Sequence, residues 1–303
     1  MRIRLCRAGD IHVAMALGAR CLPSTVADNG LIQSRSIPIL PIRTGRTRQA
    51  TLGRMPEIHF DIAPESVPRS GLFRSRGLAM FTNAMDHNVS QLARAVKERS
   101  FPGAVVCDVG CWDGERFLEY APSGAELIGL ERNEQAVAVA RRNGVKAIPA
   151  NIQERWPLDD QSVDVMTSNQ VIEHVTDTDH FTAEAYRILR PGGVACVSTE
   201  NLASWHNIAA CFLGWQPFSI TNVSSAQASI GNPLSNLRHL DNLSSGWQHV
   251  RVFAYRGLIE LFQAHGFVDV HIRGAGYYPL PSRFGAWDPR HAAFITVVAT
   301  RPM

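Results

Sequence analysis

One stretch limits what this chain can fold into more than any other: residues 105–133, VVCDVGCWDGERFLEYAPSGAELIGLERN. The apolar run from Val105 to Val109 leads into a turn with glycines at 110 and 114, and Glu115 to Tyr120 continues at helical spacing. A second apolar run, Leu127 to Leu130, stops at Glu131. Strand, glycine turn, helix, strand and acid in that order predict an open α/β sheet with a ligand over the carboxyl ends of its first two strands. There glycines let the backbone come close and a helix start offers free N–H groups. Glu131 is placed to accept hydrogen bonds from both hydroxyls of a ribose. The plain alternative is a buried strand and turn that binds nothing.

Spacing separates two nucleotide-type ligands. The dinucleotide fingerprint G-x-G-x-x-G, counted from Gly110, requires glycine at 112 and 115, where this chain has Trp112 and Glu115. That ligand is therefore disfavoured twice. Downstream, further strands and helices alternate. A helix from Glu134 to Arg142 is closed by Asn143-Gly144, and a third strand spans Val145 to Ala150. A fourth strand covers Val163 to Thr167, a helix runs from about Asp179 to Leu189, and Arg190-Pro191-Gly192-Gly193 precedes a fifth strand, Val194 to Thr199. Upstream, Asp86 to Arg99 places Val89, Leu92, Ala93 and Val96 on one helical face. A helix from Tyr255 to His265 and strands at Val268 to Arg273 and Phe294 to Ala299 complete the pattern. Strands alternating with helices argue for a parallel sheet with right-handed crossovers.

The blocks DVGCWDG, GLERN, WPLDDQSVDVMTSNQVIEHV, RILRPGG and VSTEN occur in that order over residues 104–201. In this the chain resembles class I S-adenosylmethionine-dependent methyltransferases, in the broad small-molecule group that includes the ubiquinone-biosynthesis enzymes. The resemblance implies a Rossmann-like, doubly wound seven-stranded α/β sheet with its last strand antiparallel and a small helical and loop lid, from segments 202–250 and 274–290. It implies S-adenosylmethionine as the cofactor and a small-molecule acceptor, methylated at oxygen. An RNA or protein methyltransferase and a non-catalytic cofactor-binding protein are the alternatives. Asp108, Gly110, Cys111 and Gly114 then belong to the turn beside the methionine portion, Glu131 and Arg132 to the ribose, Asn151 and Ile152 to the adenine, and Asn169 to the end of the fourth strand. Family members often carry aspartate where Asn151 stands, and Trp112 departs from the pattern at its middle glycine.

On the acceptor side, an alcohol or phenol must lose a proton, and histidine is the suitable base near neutral pH. His174 is the candidate; its bland reading is a structural loop histidine with Glu173 as partner or cap. Gln170, Trp205, His249 and Arg251 are the candidate acceptor-binding residues. Packing of a helix from Ala203 to Leu213 is the bland reading for Trp205, and a structural ion pair is that for Arg251. No cluster of metal-ligand character stands out, so no metal is expected.

Composition adds limits. The formal charge of +3 gives no global field for nucleic acid. It conceals a split, with 12 arginines against 5 acids in residues 1–80 and a slight acidic excess beyond. Residues 1–80, with six prolines and no sustained periodicity, read as a poorly ordered extension before a domain at 81–303. A targeting segment, or a true start at Met55, Met80 or Met85, are the other readings. Six cysteines without paired spacing read as reduced residues of a cytoplasmic protein. No run approaches the length that spans a bilayer.

Overall fold

The computed structural model describes residues 72–223, 229–235 and 248–303, with side chains from residue 77 onward. All of them belong to one compact unit, 66–303. The readings of residues 1–71, and the parts of the expected lid at 224–228 and 236–247, fall outside the described residues.

Helix α1 (Leu72–Lys97) leads into strand β1 (Val105–Val109), then α2 (Glu115–Tyr120), β2 (Glu126–Glu131), α3 (Glu134–Arg142), β3 (Lys146–Pro149) and β4 (Val163–Asn169). A 3-10 turn, Ile172–His174, precedes α4 (Thr178–Ile188) and β5 (Leu189–Glu200). There follow α5 (Trp205–Phe212), α6 (Tyr255–Ala264), β6 (Val268–Ala275), the short α7 (Phe284–Trp287) and β7 (Phe294–Thr300). The seven strands lie in the order β3-β2-β1-β4-β5-β7-β6. β1 to β5 pair in parallel, whereas β7 is antiparallel to both β5 and β6. This is the expected Rossmann-like sheet.

Period-two alternation explains how one sheet fills two cores. Cys107, Val109, Met166, Ile295 and Val297 face one side, against Phe181, Ile188 and Phe262. Val106, Val165, Cys196 and Val298 face the other, against Leu92 and Val96 of α1 and Phe117 and Tyr120 of α2. Each such fully buried aliphatic side chain contributes about 1.5–3 kcal/mol of transfer free energy. Helix α3 begins where the sequence places it because the Asn133 side chain accepts from the N–H groups of Gln135 and Ala136.

Two expectations change. The first helix begins at Leu72, inside the stretch assigned to the extension and beyond Pro68, the last proline before it, and it runs on through Gly77. The fifth strand begins at Leu189 because Arg190 to Gly193 form a bulge: the register jumps from Val163↔Leu189 to Val165↔Val194. A side chain at 193 would meet the carbonyl oxygens of Arg190 and Asp164 at 2.8 and 3.0 Å, so glycine is needed. Among the described residues no helix is long and apolar enough to cross a membrane.

Candidate active site

The carboxyl ends of β1, β2 and β4 meet at one edge of the sheet, and the turn after β1 is held there by its neighbours. The N–H groups of Gly110 and Cys111 both donate to the Leu130 carbonyl, at 2.8 and 3.2 Å. Gly110 has φ +83°, and a Cβ at that position would lie 2.5 Å from Val171 Cγ2. Conformation and space therefore both demand glycine. Trp112 also has positive φ, 49°, which is the physical reason the family pattern prefers glycine there. The residue is 38% exposed. Cys111 is buried against Gly129, where a Cβ would come within 2.4 Å of its sulfur, and burial pushes its thiol pKa up.

Glu131 lies at the end of β2, half-buried, with Oε1 accepting from Asn133 N at 2.7 Å and Oε2 from Trp112 N at 3.2 Å. Two backbone bonds fix the carboxylate and leave lone pairs for a diol. Arg132 beside it is exposed. Asp108 is only 2% exposed, and its Oδ1 accepts from Tyr120 and Thr167 hydroxyls, each at 2.7 Å. Burial raises its pKa to about 6 against the pull of those hydrogen bonds. That oxygen thus ties β1 to α2 and β4. Gly114, at φ +81°, caps α2. Asn151 is exposed in the turn after β3, accepting from Gln153 N at 3.2 Å and donating to Glu154 at 2.8 Å. Ile152 is half-buried against the core.

At the end of β4 the site depends on a residue from a distant part of the chain. Buried Asn88 of α1 donates to Asn169 Oδ1 at 2.9 Å and accepts from the Ser198 hydroxyl at 2.7 Å. Gln170 has φ +57°, and both its backbone and its side-chain N–H groups donate to Ser198. Asn88 was not singled out from sequence, although it is a polar residue one helical turn before Leu92 on the buried face.

Beyond β4, segment 248–251 folds back onto the 3-10 turn. Val250 N and Arg251 N donate to the Glu173 carbonyl at 2.8 and 3.1 Å. The Arg251 guanidinium donates twice to the Thr176 carbonyl, so its contact is internal. His174 Nδ1 lies 3.1 Å from Gln248 O and His249 Nδ1 2.6 Å from Ser219 O, and the two rings meet edge to face at 4.8 Å. The fully buried Glu173 accepts from the Thr199 hydroxyl through Oε2, and its pKa is raised by burial to about 7. Burial, then the neighbouring His249, lowers that of His174. One donor atom from each of Glu173, His174 and His249 lies within 4.8 Å of the others, close enough to hold a metal ion. The sequence reading had not brought these three together, because His249 is 75 residues further along the chain than His174.

Trp205 starts α5, 46% exposed, with its indole N–H donating to the Tyr277 hydroxyl at 2.7 Å. This bond joins the start of α5 to the loop between β6 and β7, beside the paired ends of β5 and β7.

A family model described as "Methyltransferase domain" matches residues 107–197. Over that span the chain is similar to a methyltransferase domain. Its matched span runs from β1 through the Glu131 edge and the 3-10 turn to β5. A "Probable S-adenosylmethionine-dependent methyltransferase" of Mycolicibacterium smegmatis is 43% identical over 101 residues, covering 33% of this chain and 39% of its own. A "Ubiquinone biosynthesis O-methyltransferase" of Mesorhizobium japonicum is 32% identical over 108 residues, 34% of this chain and 43% of that one. The chain thus spans about two fifths of the length of these curated relatives. A crystal structure described as a "possible exported protein" of Bordetella parapertussis shares the fold, with a TM-score of 0.51 at 18% identity, covering 72% of this chain and 68% of that one. The cofactor named in the description of the Mycolicibacterium smegmatis relative is compatible with the turn: Glu131 offers lone pairs to a ribose diol, and Gly110 and Gly114 present backbone without a side chain.

Proposed function

We propose that this chain transfers a methyl group from S-adenosylmethionine to a small-molecule acceptor at an oxygen atom. The fixed Glu131 carboxylate beside the glycine turn carries this reading, supported by the match of the surrounding domain. When bound, the cofactor supplies a methyl carbon already activated by the sulfonium charge. The turn from Asp108 through Gly110 and Cys111 to Gly114 would seat its methionine portion, and Asp108 holds that turn rigid from beneath. Glu131 and Arg132 would take the ribose, Asn151 and Ile152 the adenine, and Asn169, aimed by Asn88, the space between cofactor and acceptor.

The acceptor would lie over β4 and β5, within reach of Gln170, Trp205, His249 and Arg251. Much of the protein's task there is alignment and exclusion of water. A hydroxyl acceptor also gives up a proton, and the imidazoles of this edge are the groups suited to take it. His174 is the one that the sequence singles out. The O-methyltransferase name of one relative favours oxygen as the acceptor atom.

Calorimetric titration with S-adenosylmethionine and with NAD tests the cofactor; binding of NAD alone would overturn the reading. Labelled cofactor incubated with fractionated lysate tests the acceptor, with label expected in small molecules, and label only in RNA or protein would reject that class. His174→Ala should keep cofactor affinity and lose turnover if the ring is the base, and unchanged turnover rejects that role.

A further inference from the structure

Because β7 runs antiparallel to β5 and starts at Phe294 opposite Glu200, the loop between β6 and β7 returns to the carboxyl edge of the sheet. His291 lies three residues before that start. Its Nδ1 is 2.8 Å from Asp288 Oδ2. An ionised carboxylate only accepts, so Nδ1 carries the hydrogen and Nε2 the lone pair. The same Asp288 oxygen accepts from the Tyr277 hydroxyl at 2.8 Å, and Tyr277 in turn accepts from the Trp205 indole. The Trp205 ring lies on the imidazole, centroids 4.3 Å apart and planes 24° from parallel. Asn201, just past β5, donates its side-chain N–H groups to the carbonyls of Arg290 and Ala292, on either side of His291, both at 2.9 Å.

The imidazole is thus held by a carboxylate, an indole and a clamped backbone, while its side chain remains 29% exposed. No described residue is hydrogen-bonded to Nε2. Hydrogen bonds from Tyr277 and His291 outweigh burial and keep the Asp288 carboxyl below the usual carboxylate range. Arg290, with Nε 3.6 Å from Asp288 Oδ1, adds to that. A histidine that accepts a proton must be stabilised as imidazolium. Asp288 is hydrogen-bonded to His291 in the position to do this, whereas Nδ1 of His174 faces a backbone carbonyl.

We propose that His291 is a catalytic residue, the base that takes the proton from a phenol or alcohol acceptor, with Asp288 as its positioning residue. The proposal rests on the methyl-transfer reading and assigns to His291 the task for which sequence suggested His174. The acceptor O–H gives its proton to Nε2, and the oxygen electron pair forms the bond to the methyl carbon. The carbon–sulfur pair leaves with sulfur as S-adenosylhomocysteine. The imidazolium, paired with Asp288, then releases its proton to water.

The test uses 4-nitrophenol titrated into the full chain saturated with S-adenosylhomocysteine and buffered below the phenol's own pKa. The expected result is a bound phenolate absorbance band with the wild type, and one at least about tenfold weaker with His291→Gln. Asp288→Asn should weaken the band and Asp288→Glu restore it, which a merely structural aspartate would not do. A band that persists in His291→Gln, or is absent from the wild type, overturns the proposal. Calorimetry of S-adenosylhomocysteine on the same samples shows that each variant is folded. Failure of the wild type to bind that compound would sink the methyl-transfer reading itself, whereas binding with an unchanged band sinks only the role of His291.

Discussion

The two halves of the carboxyl edge are built differently. At the ends of β1 and β2, Gly110, Trp112, Glu131 and Asn133 lie within 24 consecutive residues and hold one another through backbone N–H groups. At the ends of β4, β5 and β7, Asn88 reaches Ser198, Thr199 reaches Glu173, Gln248 reaches His174, and Trp205 reaches Tyr277. Local segments can fix a site by turn chemistry alone. A site assembled from remote segments depends on the packing of the whole sheet, and its polar groups are linked by side-chain bonds that single substitutions break.

The largest expected effect is at the local side. Gly110→Ala adds a Cβ at positive φ and 2.5 Å from Val171, and should weaken cofactor binding by roughly a hundredfold or more while costing about 1–3 kcal/mol of stability. Calorimetry and a thermal melt would read both; near-normal affinity would show that the turn is not the cofactor seat.

Glu173 gives the next effect, through pH. Its folded pKa of about 7 lies above the ordinary value of 4.5, so the folded state prefers the proton. Its contribution to stability is fully present below the unfolded pKa and is lost as pH rises through about 7. Glu173→Gln should therefore flatten the stability profile between these limits and stabilise the protein above them by roughly 1–3 kcal/mol. Urea melts on both sides of neutrality check this, and a profile as steep in the variant as in the wild type would reject it.

Asn88→Ala leaves Asn169 and Ser198 each short of a buried partner and should cost about 1–2 kcal/mol, seen as a lower Tm. It should also weaken cofactor affinity, because Asn169 loses its anchor; a drop in Tm alone would place Asn88 outside the site. Trp112→Gly should do least. It relieves a positive φ but loosens the unfolded chain, so stability should change by less than about 1 kcal/mol and cofactor affinity by less than about threefold. A larger loss of affinity would give the indole a binding role.

The bounds of β1, α2 and α3 were legible to the residue, because hydrophobic period, glycine and the Asn133 cap all point the same way. The start of α1 was not: helix propensity from Leu72 onward is unremarkable without the sheet it packs on. The same holds for the bulge at Arg190 to Gly193, where a turn-like tetrapeptide enters the ladder because Val163 pairs with Leu189. Trp205 and the 274–290 loop were legible as candidates for one pocket, but Asp288 and His291 were not, since nothing in the spacing of a proline-rich loop reveals which aspartate will face which imidazole.

What the sequence by itself determined is therefore the local half of that edge: a strand-turn-helix whose glycines and terminal acid act over a few bonds of chain. Only the tertiary structure decided which groups converge over β4, β5 and β7. The antiparallel return of β7 and the docking of 248–251 bring together residues that share no sequence neighbourhood. Local pattern carries information about dihedral angles and faces, whereas convergence across a sheet depends on register, and register emerges only when every strand has packed.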